Sequence, residues 1–196
     1  MRRTETADRR KKMAISIFFV VILVASTAGF VATFNTKQDT SYNGYDFELR
    51  GNQWVTEVDT AFGTEEFVFY HHPLDLRVQV SPAIVDVIKA APTVVLVFDP
   101  NITDIQYAEL GRFQLNQYLV SQLGKNVEHA ITAPHSAYTF PVVQCIPDGK
   151  LYILYQQGNV SSASLTDNCV TLESFSGLDY LEYSESIVYR LLGVIQ

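Results

Sequence analysis

Thr93-Val-Val-Leu-Val-Phe98, closed by Asp99-Pro100-Asn101, is the stretch whose reading decides the fold. Six β-branched or apolar residues without alternation mark a strand covered on both faces, since a solvent-facing side would call for a polar residue at every second position. Asp99-Pro-Asn turns the chain. Thr103 and Gln106 have the capping-box spacing, which predicts a helix to about Leu123 with Ala108, Leu115, Leu119 and Leu123 on one stripe. Gly124 suits the left-handed position after such a helix. Asn126 to Thr132 then reads as a second strand. Strand, helix and strand with short joints form a βαβ unit, so the two strands are expected parallel with a right-handed crossover.

On the amino side, Ser81-Pro82 supplies a cap and a first-turn proline for a short helix over Ala83 to Ala90, which Pro92 stops. Farther back the period drops to two. Tyr45, Phe47 and Leu49 alternate with polar neighbours, as do Trp54 to Val58, and Phe67 to Tyr70 follows. With turns at Arg50-Gly-Asn-Gln and Ala61-Phe-Gly-Thr, three antiparallel strands are expected, ending at His72-Pro73 because proline cannot donate into a ladder. On the carboxyl side, strands are expected over Thr139 to Cys145, Leu151 to Gln156, Ser162 to Leu165 and Cys169 to Leu172. A helix from about Gly177 to Leu192 closes the chain, with Leu181, Val188, Leu191, Leu192 and Ile195 on one side. The fold class is α+β (mixed α/β): a transmembrane helix, then one domain of antiparallel hairpins, a central βαβ unit, further strands and a terminal helix.

The transmembrane helix is read from residues 13–34, twenty-two positions without a charge. As a helix they span about 33 Å, enough for the hydrocarbon core of a bilayer. Arg2, Arg3, Arg9, Arg10, Lys11 and Lys12 precede the run, and short basic flanks stay in the cytoplasm. The chain therefore divides into a basic cytoplasmic tail (1–12), an anchor in the lipid bilayer (13–34), a polar tether (35–41) and an extracytoplasmic domain (42–196). Localisation follows: the cell membrane, single-pass, amino terminus inside. A cleaved signal peptide is the rival reading, with small residues at Thr27 and Gly29 or at Val24 and Ser26, but the apolar run continues past both sites. Residues 35–196 hold nineteen acidic and eight basic side chains, net −11. Such a domain argues against nucleic acid as a partner, which needs a basic face. Net charge for solubility accounts for it more simply than a cation-binding face does.

Both cysteines, Cys145 and Cys169, fall on the expected outer side, where a disulfide between them closes a loop of 24 positions and ties two neighbouring strands. A Cys145 nucleophile with His129 or His135 as base lacks any local signature. Asn101-Ile-Thr and Asn159-Val-Ser are acceptor sequons on the same side. Asp99 stands at the carboxyl end of a parallel strand, where open α/β sheets bind ligands, so it is the candidate ligand site; turn stabilisation beside Pro100 is the plainer reading. His71-His72, with Glu65, Glu66 and Asp75 nearby, is the most suggestive local group. Adjacent strand residues face opposite ways, however, so a shared metal is not expected. Tyr180, Tyr183 and Tyr189 fit either a partner surface or the core. Glycine-rich phosphate loops, nucleophile elbows and Cys-x-x-Cys pairs are absent from the sequence. No catalytic residue, metal or cofactor is expected.

The basic tail, the single anchor, Tyr42-Asn-Gly-Tyr-Asp-Phe47, Trp54, Val94-Val-Leu-Val-Phe-Asp-Pro100, two outer cysteines and the ending Tyr189-Arg-Leu-Leu-Gly-Val-Ile195 together resemble a group of uncharacterised membrane-anchored proteins from archaea. The resemblance implies an archaeal cell surface, where sequons and a disulfide are at home, and carries no activity with it. The function expected is a membrane-anchored extracytoplasmic interaction module with an envelope or membrane protein partner. One alternative is a tethered hydrolase or small-ligand binder using Asp99. Another is an accessory subunit whose anchor packs through Gly29 and neighbouring small residues.

Overall fold

In this computed structural model the described residues are 17–22 and 39–196. Residues 17–22 are helical (α1), exposed, and belong to a unit separate from residues 39–196. Among the described residues no helix is long and apolar enough to cross a membrane, and the remainder of the expected anchor over 13–34 lies outside them.

Residues 39–196 fold as an α+β domain with two sheets. The first is an antiparallel meander in sequence order: β1 (Asp39–Tyr42), β2 (Tyr45–Arg50), β3 (Gln53–Thr60) and β4 (Gly63–Phe69). It has four strands where three were expected. Asn43 and Gly44 both take positive φ, 50° and 85°, the conformation of a tight two-residue hairpin turn, and such a turn needs a strand before it as well as after it. The polar stretch read as tether therefore ends inside the sheet, with Asp39 opposite Glu48 and Tyr42 opposite Tyr45.

The second sheet comprises β5 (Thr93–Phe98), β6 (Asn126–Ile131), β7 (Leu151–Gln157), β8 (Ser162–Thr166) and β9 (Cys169–Ser174), in the order β6-β5-β7-β9-β8. β5 pairs in parallel with β6 and β7, and β7 with β9; β8 returns antiparallel at the edge. The expected βαβ unit is β5, α3 (Ile105–Ser121) and β6. Ala108, Leu115 and Leu119 of the anticipated stripe are fully buried. The capping box does not form. Asp104 stands at the cap in left-handed conformation and its side chain caps no main-chain N–H of the helix, accepting instead from the Gln106 side-chain amide, while the Thr103 hydroxyl turns outward and donates to Gln157 Oε1. α2 (Pro82–Ala90) starts on its proline as expected.

Residues 139–145 are not a strand. A single parallel bridge joins Ile131 to Val142, with the Ile131 N–H donating to Pro141 O and the Val143 N–H donating to Ile131 O. Pro141 has no N–H to extend a ladder, so pairing stops after one rung. Cys145 consequently sits in a loop. Its disulfide to Cys169, at the start of β9, ties that loop to the sheet rather than strand to strand.

That loop does what a helix usually does. One face of the second sheet, through Leu96, Phe98, Ile153, Tyr155, Val170 and Leu172, belongs to the main core. The other presents Val95, Val97, Ala130 and Tyr152, and its covering apolar partners include Val143 and Cys145 from the loop. The unbroken apolar character of β5 is thus explained by cover on both faces, one helical and one a disulfide-tied loop.

α4 (Leu178–Leu191) lies between the sheets. Every residue from Asp179 to Tyr189 is buried. Toward the meander, the Tyr189 ring stacks on Phe69 at 3.9 Å and meets Phe47 at 6.1 Å. Toward the second sheet, Tyr155 meets Tyr180, and its hydroxyl shares a 2.9 Å hydrogen bond with Ser184 Oγ. α3 crosses α4 where Gly111 meets Ser184; a Cβ at Gly111 would lie 2.6 Å from Ser184 Oγ and 2.9 Å from Tyr180 O, so no side chain fits. Tyr180, Tyr183 and Tyr189 are core residues, which removes them from any partner surface.

Because the Cys145–Cys169 link replaces a covering helix, its loss is expected to lower the unfolding free energy by about 3 kcal/mol in the chain-entropy account. Amide exchange should speed up in β5 and β7 before the rest of the domain. The double variant Cys145→Ser/Cys169→Ser in denaturant titration and hydrogen exchange checks this; an unchanged midpoint would show that the loop holds without the bond.

Candidate functional site

The residues singled out in the sequence scatter when the chain folds. Asp99 follows directly on β5, and its Oδ1 accepts from both the main-chain N–H of Asn101, at 2.9 Å, and the Asn101 side-chain amide, at 3.2 Å. This is a carboxylate that closes its own turn. Asn101 and Asn159 are both exposed, on the loops after β5 and β7 at the same end of the sheet. Cys145 and Cys169 are joined to each other, so neither is a nucleophile. Glu65 bonds Gln122 and Glu66 bonds Arg50, which leaves neither beside the histidine pair. Among the described residues no group of three or more His, Cys, Asp or Glu is placed to hold a metal ion.

His71 and His72 part company as the chain crosses α4. His72 is buried among Phe47, Trp54 and Tyr42, and burial lowers its pKa. His71 turns to the helix, where its Nδ1 donates to Glu185 Oε2 at 2.6 Å. The Tyr70 N–H donates to the other oxygen of that carboxylate at 2.5 Å. One turn earlier, Glu182 accepts from the main-chain N–H and the Nε of Arg77, each at 2.8 Å, while the Arg77 guanidinium also reaches Asp179. Ser186 accepts from the Val80 N–H. Glu182 and Glu185 are 1% and 0% exposed, so these bonds decide whether α4 can be buried at all. Nothing local in the sequence gives this away, because the partners stand more than a hundred positions apart.

A groove of about 540 Å³ opens between β4 and the second half of α3, floored by Phe67, Tyr118 and Val188. Its rim is polar. The Gln114 amide donates from α3 to the Val68 carbonyl on β4 at 3.0 Å, and the Gln122 amide donates to Glu65. These bonds fix which end of each side chain is nitrogen. Both remaining Oε1 atoms are buried, and neither has a donor among the described residues. Glu65 and Glu66 line the groove, and among the described residues no lysine or arginine does. Burial pushes the Tyr118 hydroxyl up to about 12, so at neutral pH it stays a neutral donor. The sequence does carry a trace of this surface: Gln114, Gln117 and Ser121 recur at helical spacing opposite the apolar stripe of α3. What it could not show is that β4 lies beside them.

No protein-family model matches the chain, and neither does a curated protein or a solved structure.

The pair between His71 and Glu185 carries a pH signature. The hydrogen bond to Glu185 raises the pKa of His71 above its ordinary 6.5, against the opposing effect of burial, with the charges of Glu185 and Glu182 adding. A raised folded value means stabilisation that is full below the unfolded pKa and lost as pH rises through the folded one. The stability difference between the wild type and His71→Gln is therefore expected to be about 1 kcal/mol at pH 6, given a partly exposed imidazole, and to shrink by pH 9. Denaturant midpoints across that range check it; a difference that grows with pH would reverse the assignment.

Proposed function

We propose that this chain is a single-pass, membrane-anchored interaction module that presents its α+β domain outside the cell and binds a protein partner through the groove between β4 and α3. The observation that carries this reading is the groove itself, an apolar floor edged by converging amides and carboxylates, as recognition surfaces tend to be. The uncharged run over 13–34 and the basic residues ahead of it support the anchor and its orientation. Cys145–Cys169 fits an oxidising compartment, as does the exposure of Asn101 and Asn159. The resemblance to archaeal anchored proteins belongs to the same proposal and would make that compartment an archaeal cell surface.

A hydrolase or small-ligand binder centred on Asp99 is disfavoured. Its carboxylate is engaged by Asn101, and the groove lies along β4 and α3 rather than at the end of β5. An accessory-subunit role remains compatible with the same groove, since a complex partner would be one more protein to bind.

Two measurements on the full chain in its native membrane test the proposal. A reporter fused after Gln196 is expected to be active outside, and activity in the cytoplasm would overturn the topology. A photo-cross-linker at Gln117, on the groove rim, is expected to capture one recurrent protein, and the same group at Asp167, in the β8–β9 turn, is not. Equal capture from both positions, or capture from Asp167 alone, would move the binding face elsewhere.

A further inference from the structure

We propose that the groove takes an extended, basic polypeptide segment as a fifth strand of the meander, added along the outer edge of β4. The proposal rests on the groove being the binding face, and it names what binds there.

β4 is the outermost strand of its sheet. Its seven residues, Gly63–Phe69, run about 23 Å, enough to template a strand of similar length. The Val68 carbonyl points toward α3, as its bond from Gln114 shows. In an antiparallel ladder the N–H and C=O of one residue share a side, so Thr64, Glu66 and Val68 all direct their main-chain groups away from β3. Such an edge recruits another strand unless something blocks it. On this edge Gln114 reaches one carbonyl, with a single side-chain amide standing where a strand would place its N–H.

The chemistry of the rim selects the strand. Gln114 Oε1 and Gln122 Oε1 are acceptors awaiting donors. Glu66 is paired on its solvent side with Arg50 at 2.6 Å, whereas Glu65 has the Gln122 amide and no cation among the described residues. An occupant must bring N–H groups and positive charge. Side chains two apart on a strand share a face, so a lysine or arginine against Glu65 leaves the next inward position for an apolar residue over Phe67 and Tyr118. A second copy of this chain does not fit. Pairing β4 antiparallel with itself would set the Glu65-Glu66 pair at its centre against the same pair, between domains that each carry a large negative charge.

The test uses the full chain in nanodiscs and fluorescence anisotropy with a labelled peptide Lys-Thr-Val-Thr-Lys-Thr-Val. Two controls accompany it, one with glutamate for lysine and one with every second amide N-methylated. The lysine peptide is expected to bind at least tenfold more tightly than either. Glu65→Gln should weaken it about tenfold. Val68→Pro should abolish binding while preserving the β-sheet signal in circular dichroism, because the N–H it removes faces away from β3. Equal binding of the N-methylated or glutamate peptide, full affinity in both variants, or no binding of the lysine peptide would overturn strand addition. A partner cross-linked from Gln117 through a helical or acidic segment would also overturn it, yet would leave the groove as the binding face; failure of the Gln117 capture removes the binding face itself.

Discussion

Everything in this domain depends on burying α4, and α4 can be buried only because its carboxylates are answered. A helix closed in on all sides with Asp179, Glu182 and Glu185 along it would carry several kcal/mol of desolvation cost if those groups stood alone. The segment from Tyr70 to Val80, which joins the two sheets, answers them with main-chain N–H groups at Tyr70 and Arg77 and with the side chains of His71 and Arg77, while the Val80 N–H donates to the Ser186 hydroxyl. The arrangement is reciprocal. An irregular segment crossing a core needs acceptors for its own backbone donors, and α4 supplies them. A buried pair of this kind adds little net stability compared with apolar packing; what it fixes is which backbone groups lie over which turn of the helix. The same contacts align the meander with the helix: Tyr70 and His71 are seated on Glu185, and the neighbouring Phe69 stacks on Tyr189 one turn farther along.

The second sheet faces a complementary problem. Its strand order sends the chain from β5 to β6 on one side and back past β5 to β7 on the other. α3 covers the first crossing. The second, over residues 132–150, contains no helix, yet Val95, Val97, Ala130 and Tyr152 still need cover. Val143 and the Cys145–Cys169 bond provide it. A loop lacks the internal hydrogen bonds that hold a helix in shape, so a covalent tie takes over part of that task. Asn168 helps, its amide donating to the Ile146 and Lys150 carbonyls across the same turn.

How much of this the sequence disclosed depends on how far apart the cooperating residues stand. β5, α3 and β6 were legible because their periods, turn residues and stripe are local facts, and the boundaries differ by a residue or two. β1 could be inferred from Asn43-Gly44 but was read as polar tether, since a four-residue edge strand of Asp, Thr, Ser and Tyr has no apolar alternation. Residues 139–145 read as strand on β-branched and aromatic content, and Pro141 overruled that content. α4 was placed correctly as a helix and wrongly imagined as one-sided. Glu182, Ser184, Glu185 and Ser186 look like a solvent face until His71, Arg77 and Tyr155 arrive from elsewhere in the chain. The groove was hidden for the same reason: Gln114 and Gln122 are unremarkable helix residues until β4 lies beside them.

The groove is a consequence of this construction rather than an addition to it. α3 belongs to the second sheet through its crossover and to α4 through the Gly111–Ser184 contact, so its position is set before the meander is considered. The meander is held by the other end of α4, at Tyr189, and by the Tyr70–Val80 segment. Packed helices sit roughly 8–10 Å apart, so a sheet edge docked on one helix of a pair need not close upon the other. β4 and α3 are each fixed to α4 and more lightly to each other, through two glutamine side chains and the tilted contact of Phe67 with Tyr118 at 6.0 Å. Widening that gap breaks two amide hydrogen bonds and loosens the Phe67–Tyr118 ring contact. A strand entering along β4 would replace those bonds with main-chain ones, so the opening asked of the domain is confined to the least committed seam in it.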